Sequence, residues 1–497
     1  MTSDTAELAI ADAAGELPGS FGSMGAGGRR AELDSPPTRA RTARLRTALG
    51  LDEPARAAAV RDSWRALWSS RLLVWAVGIG TLLTYGFGPM RHAFNPPGLT
   101  RGFGWLGDLL AAPAARWDAS WYLVIAHYGY RPDLGTFTAS RDAFFPLYPL
   151  GLRGLGWLGV PLVLGGVLIS MAAFALALYG IHRLTTLELT RAARAGGRSL
   201  LGTRMGAGST AADGTDVARL AVMVTAFAPM AFFFSAVYSE SLYLALSVGL
   251  FYAARTGRWA AVGVLAALAG ATRSTGIVLV LPALMLYVYG PREDRMPDFP
   301  SARGLARRYR LRKDVLWLAL APAGIALYML YLGLAGGDGL SPFHAQDVWG
   351  RHFAGLYLGI WDGLRAAFEG ARQLLSLQQH HVYFAVGGEN AFVAAEHNVL
   401  LLAFLAAALV AIVGVLRRLP LAYGVYVIAA LALPLSYPVT AQPLMSLPRF
   451  LVVLFPLSIW FATWLAAHRR AQRPALVCSG VLMAFFLAEF ATWHWVA

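Results

Sequence analysis

Between Arg116 and Pro149 the chain reads RWDASWYLVIAHYGY, then RPDLGTFTASRDA, then FFPLYP. Three carboxylates (Asp118, Asp133, Asp142) and three guanidinium groups (Arg116, Arg131, Arg141) stand there among Trp, Tyr, Phe and Pro, between strongly apolar flanks. A polar, aromatic segment lying against a membrane can hold a carboxylate in acid–base work. The same composition also describes an interfacial belt with solvated charges. Further polar motifs interrupt apolar sequence later on: Tyr238–Ser239–Glu240, Thr272–Arg273–Ser274–Thr275–Gly276, His344-Ala-Gln346-Asp-Val-Trp-Gly-Arg351 and Ser446-Leu-Pro448-Arg449. Where these motifs sit relative to a bilayer decides between the two readings.

The 497 residues are 57% hydrophobic and 14% charged, against roughly a quarter charged in soluble domains. Several uncharged runs of about 20 residues suffice to cross the hydrocarbon core as helices. The chain reads as all-α, a polytopic transmembrane helical bundle with short helices in its outer loops. The formal net charge of +14 does not point to nucleic acid. The arginines gather in short loops between apolar runs, the positive-inside pattern. Cys478 is the sole cysteine, which excludes a disulfide framework and a thiolate metal site. No His or carboxylate spacing of the HExxH kind occurs, so no tightly bound metal or cofactor is expected.

Residues 1–54 read as a disordered basic cytoplasmic tail, and 55–497 as the membrane domain. The tail begins with acidic residues and lacks an apolar core, unlike a signal peptide. Ala55–Ser70 suits a basic amphipathic helix on the membrane surface, with the first span at Arg71–Phe87. A first outer loop covers 88–155. Spans follow at Gly156–Ile181, Leu220–Val237 and Ser241–Ala254. Trp259–Tyr289, at about 45 Å as one helix, exceeds a core of about 30 Å. It is basic at both ends, so two short spans are expected to meet at Arg273. Val315–Ala335 crosses next, before a second outer loop at 336–397. Asn398–Leu416, Leu421–Leu435, Phe450–Ala467 and Ala475–Trp495 complete about eleven spans, with the N-terminus cytoplasmic.

On that topology every polar motif falls on the outer face of a multi-pass protein of the cell (plasma) membrane. Charges at depth cost up to roughly 2.5–3.5 kcal/mol each, so a paired, functional placement is the default for such groups. Each motif also has a structural reading. Asp118 can cap the helix beginning at Ala119. Glu240 can form a structural salt bridge to Arg273. Arg449 can snorkel, and His344 can be a satisfied loop histidine. Arg273, at a helix break beside hydroxyls, suits a phosphate oxygen.

Taken in order from Arg116 to Pro456, RWDASWYLVIAHYGY with FFPLYPL, PMAFFFSAVYSESLYLAL, ATRSTG, GDGLSPFHAQDVWGR and SLPRFLVVLFP resemble the PIG-V-like mannosyltransferase family, which adds the second mannose of GPI anchors. The resemblance implies a GT-C glycosyltransferase fold with a catalytic carboxylate in its first outer loop. It also implies a polyprenyl-phosphate-mannose donor as the lipid substrate. Trp117 and Asp118 match the family's Trp-Asp, Ser239 and Glu240 its Ser-Glu, Thr272 and Arg273 its Thr-Arg, and Pro448 and Arg449 its late Pro-Arg. The chain departs from the family in its long basic tail and in Asp338–Pro342. The bacterial character of the composition leaves the acceptor open: lipid, glycan or protein. Asp118 is then the expected general base, and Arg273, with Arg449 second, the expected phosphate ligand. Glu240, Ser239, Thr272, Trp117, Tyr122, His344 and Gln346 are expected to line the donor site. No obligate protein partner is implied. The rival classes are a multi-span lipid or solute transporter (flippase), which would show repeated halves and midplane polar groups, and a non-catalytic scaffold.

Overall fold

The computed structural model describes residues 53–88, 96, 98–130, 141–194, 211–299, 306–335, 338–355, 357–378, 390–440 and 442–496. The expected tail lies outside the described residues up to position 52. So do Arg131 and Asp133, the basic-loop residues Arg198, Arg204 and Arg303, and Glu389. The chain divides at Pro54, and everything below concerns the unit Ala55–Ala497.

Among the described residues, seventeen α-helices order this unit: α1 (Pro54–Tyr85), α2 (Gly104–Ala111), α3 (Ala119–Tyr128), α4 (Leu147–Trp157), α5 (Leu162–Arg194), α6 (Ala211–Ala226), α7 (Glu240–Arg255), α8 (Trp259–Gly270), α9 (Val280–Tyr289), α10 (Ala323–Ala335), α11 (Ser341–His344), α12 (Leu358–Ser376), α13 (Ala391–Arg418), α14 (Leu421–Ser436), α15 (Leu447–Val452), α16 (Phe455–Ala467) and α17 (Arg469–Ala491). Among the described residues no strand occurs, only a single antiparallel bridge between Arg351 and Val439. The protein is all-helical. Among the described residues, five stretches are long and apolar enough to cross a membrane: Pro54–Tyr85, Leu162–Thr190, Lys313–Ala335, Ala391–Arg418 and Arg469–Ala491. Four shorter apolar helices accompany them: Trp259–Gly270, Ser274–Tyr289, Leu421–Ser436 and Phe455–Ala467. With five long candidates and four shorter apolar helices among the described residues, the expected count of about eleven spans is not confirmed.

One expectation is corrected at the start of the bundle. Ala55–Ser70 and Arg71–Phe87 do not form a surface helix followed by a span; α1 runs unbroken through both. The cause is Arg71, which is fully buried. Its guanidinium donates to Ala226 O (3.1 Å), Ala231 O (2.8 Å) and Ser235 Oγ (2.6 Å), satisfying carbonyls exposed where α6 ends. The charge that reads as a boundary is an interior clamp.

Elsewhere the local sequence explains the architecture. α5 and α7 lie close because α5 offers Gly180, where a Cβ would meet Val248 at 2.6 Å. The stretch Trp259–Tyr289 breaks where expected. α8 ends at Gly270, Arg273 is extended, and a 3₁₀ turn (Ser274–Leu279) leads into α9. Gly276 allows the return, since a Cβ there would overlap the Ala269 carbonyl. α7 begins at Glu240 and ends at Arg255, so its two ends lie about 24 Å apart. At the far end Arg292 stacks over Trp259, Tyr287 and Tyr309.

Candidate active site

Asp118 immediately precedes α3, and the residue before it is strained. Trp117 has φ +53°, a left-handed conformation uncommon for a bulky side chain. Its surroundings hold it there. Ser120 returns both its N–H (3.1 Å) and its hydroxyl (2.9 Å) to Trp117 O. The Trp117 ring meets Trp493 (5.6 Å) and Trp495 (5.3 Å) edge-on. Arg116 lies over Trp493 at 4.5 Å, and Arg116 O accepts from Tyr238 Oη at 2.9 Å. Of the four described non-glycine residues with positive φ, Trp117, Ser446 and Trp493 gather here; Leu377 is the other. Such strain persists where packing over-determines it, which typifies functional sites.

Asp118 occupies the N-cap position, yet its side chain makes no cap hydrogen bond. The expected alternative of a capping role is not what the carboxylate does. Its Oδ2 instead accepts from Arg449 Nη1 at 2.7 Å. Arg449 sits in α15, which Ser446 (φ +70°) and Pro448 turn into place. Arg449 Nε stands 2.9 Å from Glu240 Oε1, and the same oxygen accepts from Arg273 Nη1 at 2.7 Å. A continuous ionic chain therefore runs Asp118–Arg449–Glu240–Arg273. It joins four segments that are far apart in sequence. Glu240 is fully buried and opens α7, where the helix dipole favours negative charge. With two cations and two anions the chain is internally neutral, which makes its burial tolerable.

Tyr122 follows Asp118 by one turn on the same face of α3. Its hydroxyl shares a 2.9 Å hydrogen bond with Ser239 Oγ, tying α3 to the start of α7. Thr272 donates to Leu268 O at 2.8 Å and closes the last turn of α8.

These groups border a cavity of about 290 Å³, near the lower end of small-molecule pockets at about 300 Å³. Trp117, Asp118, Tyr122, Thr272, Arg273, Gln346 and Arg449 all line it. Ser239 and Glu240 stand behind that wall, bonded to Tyr122 and to the two arginines. His344 is not brought in: its side chain is 64% exposed and its Nδ1 pairs with Asp338 at 2.9 Å. That pairing, with a backbone N–H from Leu340, holds the Asp338 carboxyl below its ordinary range. The other wall is apolar, with Phe144, Phe343, Leu433, Pro434 and Phe450. Asp142 helps build it by accepting from Ser341 Oγ, while Asp142 O accepts from Tyr328 at 3.0 Å. Burial raises the Asp142 carboxyl above its ordinary value.

Sequence reasoning assigned no role to Arg351, which also lines the cavity. The signal was present: it is the cation ending HAQDVWGR. Thr440 N and Oγ1 both reach Gly350 O (3.2 and 3.1 Å), and Ala354 N reaches Ser436 O (2.9 Å). This strap sets the guanidinium, whose Nη1 and Nη2 donate to Tyr437 O (3.1 Å) and Met445 O (3.3 Å). Burial, and then the like charge of Arg449, push Arg351 down to about 10. Trp493 and Trp495 also escaped sequence reasoning, because their packing on Trp117 joins positions far apart in the chain.

Comparison with protein-family models and with curated proteins gives no match. Among solved structures, the chain is similar to the archaeal oligosaccharyltransferase AglB from Archaeoglobus fulgidus, determined in complex with an inhibitory peptide and a dolichol-phosphate. The TM-score is 0.39 at 13% identity, over 87% of this chain and 56% of that chain. The chain thus spans just over half the length of the structure it matches, and a likeness of that size does not identify a family.

Proposed function

We propose that the protein is an integral membrane glycosyltransferase that moves mannose from a polyprenyl-phosphate-mannose donor to a hydroxyl of an extracytoplasmic lipid, glycan or protein acceptor. One observation carries the reading: the Asp118 carboxylate lies on the wall of a cavity that is cationic on one side and apolar on the other. Such a cavity suits a ligand that is itself part phosphate and part hydrocarbon. The opposite ends of the same helices carry the arginine-rich loops, which favours an outward-opening site by the positive-inside rule. The charges also gather at helix ends rather than at midplane, unlike the pattern of transporters.

Arg449 holds Asp118 through Oδ2, leaving Oδ1 for the acceptor. The acceptor oxygen attacks mannose C1 in a single inverting displacement, and its proton passes to Asp118. The bond from C1 to the phosphate oxygen breaks, and its electron pair leaves with the lipid phosphate. Cavity guanidinium groups stabilise that growing charge, an interaction stronger in the transition state than before it. Mannose is the sugar that the family resemblance implies.

The test is transfer of radiolabelled mannose from synthetic polyprenyl-phosphate-mannose in membranes carrying wild type or Asp118→Asn. Wild type is expected to label a lipid or protein fraction, and Asp118→Asn to lose about 10²–10⁴-fold in rate, the worth of a general base. Asp118→Asn that folds and keeps most of its turnover overturns the assignment.

A further inference from the structure

We propose that Arg351 is the anion anchor of the cavity, the group that grips the phosphate oxygens of the bound ligand, while Arg273 and Arg449 remain committed to carboxylates. The proposal rests on the glycosyl-donor reading for the identity of the phosphate, but the geometry behind it is separate. Three guanidinium groups line the cavity (Arg273, Arg351 and Arg449), against the carboxylates of Asp118 and of Glu240 behind them. Arg273 and Arg449 are each within 3 Å of a carboxylate oxygen. Arg351 meets no carboxylate within 4 Å among the described residues, so its charge is the unbalanced one at the site.

A phosphate taken by Arg273 or Arg449 would compete with Glu240 or Asp118 and loosen the general base at the moment of need. One taken by Arg351 leaves that chain intact. The guanidinium carries five N–H donors, of which two go to the Tyr437 and Met445 carbonyls. Those two bonds fix the plane of the fork and leave the remaining donors for a bidentate grip on phosphate oxygens. The strap between Gly350 and Thr440 holds the group ready before any ligand enters. Phe343, Leu433, Pro434 and Phe450 line the same cavity, so a phosphate that carries a hydrocarbon chain fits better than a free one.

Purified full-length protein in detergent is titrated with farnesyl phosphate, farnesol and inorganic phosphate, with binding read by quenching of tryptophan fluorescence. Wild type is expected to prefer farnesyl phosphate to farnesol by at least about tenfold. Arg351→Gln should abolish that preference with farnesol affinity unchanged, and Arg351→Lys should keep part of it. An Arg351→Gln protein that retains the full preference overturns the proposal. Equal weakening for farnesyl phosphate and farnesol also overturns it, because a residue that merely pins the Ser436–Met445 loop gives that result. Inorganic phosphate binding as tightly as farnesyl phosphate removes the lipid headgroup as the source. None of these readouts involves sugar transfer. A preference that depends on Arg351 in a protein that transfers no mannose therefore sinks the proposed reaction and leaves the anchor standing.

Discussion

Helix α7 begins in one buried network of charges and ends in another. At its start, Glu240 joins Arg273 and Arg449 to Asp118, and three of those four residues border the cavity. At its end, fully buried Arg255 pairs through Nε with Glu188 Oε1 at 2.5 Å and through Nη1 with Glu293 at 3.4 Å. Tyr423 completes that second network with a 2.6 Å hydrogen bond to Glu188 Oε1. Both networks pair buried arginine with carboxylate at short distances (2.7 Å at Arg449–Asp118, 2.5 Å at Arg255–Glu188), yet none of Arg255, Glu188, Glu293 or Tyr423 lines the cavity. Backbone strain separates the ends further: Trp117, Ser446 and Trp493 take positive φ around the first network. A buried ion pair alone therefore says little about function. Contact with a cavity and strained backbone together mark the site.

The comparison breaks if the two ends respond alike to substitution. The largest expected effect on stability is at the closed end. Arg255→Met leaves Glu188 buried without its cation, which costs roughly 3–5 kcal/mol. Thermal unfolding in detergent should register that loss, while the proposed mannose transfer, per folded molecule, should stay at the wild-type level. A fall in turnover with unchanged unfolding would join the two ends into one functional unit. At the open end, Glu240→Gln keeps the shape but removes the charge shared by Arg273 and Arg449. Stability should fall less, by roughly 1–3 kcal/mol. Turnover should drop about tenfold, equivalent to ~1.4 kcal/mol of barrier, because Arg449 then clamps Asp118 alone. Unaltered transfer by Glu240→Gln would make this carboxylate structural, like Glu188. The smallest effect belongs to Tyr122→Phe, which deletes only the hydrogen bond to Ser239 and should cost ~0.5–1.5 kcal/mol. Its rate loss should be smaller than that of Glu240→Gln, as measured in the same membranes.

Much of the open end is legible in the sequence because charges are rare in this chain. Asp118, Glu240, Arg273 and Arg449 each interrupt apolar sequence, and burying such a group demands a partner. The helix break at Arg273 is legible for a related reason, since one helix from Trp259 to Tyr289 overshoots a bilayer. What the sequence hides is which partner each charge finds. Arg71 reads as a membrane boundary because two of its acceptors, the carbonyls of Ala226 and Ala231, are backbone groups that carry no residue signature, and the third, Ser235 Oγ, lies 164 positions away. Arg351 reads as one loop cation among many, until the strap to Thr440 turns it into the cavity. His344 carries the more suggestive chemistry of the two, and the fold turns it toward Asp338 and solvent.

The packing of Trp493 and Trp495 against Trp117 also sets an order of events during synthesis. The strained turn that presents Asp118 leaves the ribosome 376 residues (493 − 117) before its indole support does. At about 5–20 residues per second that interval is roughly 20–75 s. Arg449, the partner of Asp118, follows it by 331 positions. A nascent chain inserted as far as α14 holds its carboxylate without a clamp and without the aromatic wall behind it. The geometry around Asp118 is therefore completed only after Arg449, Trp493 and Trp495 have been made, in one late step rather than helix by helix.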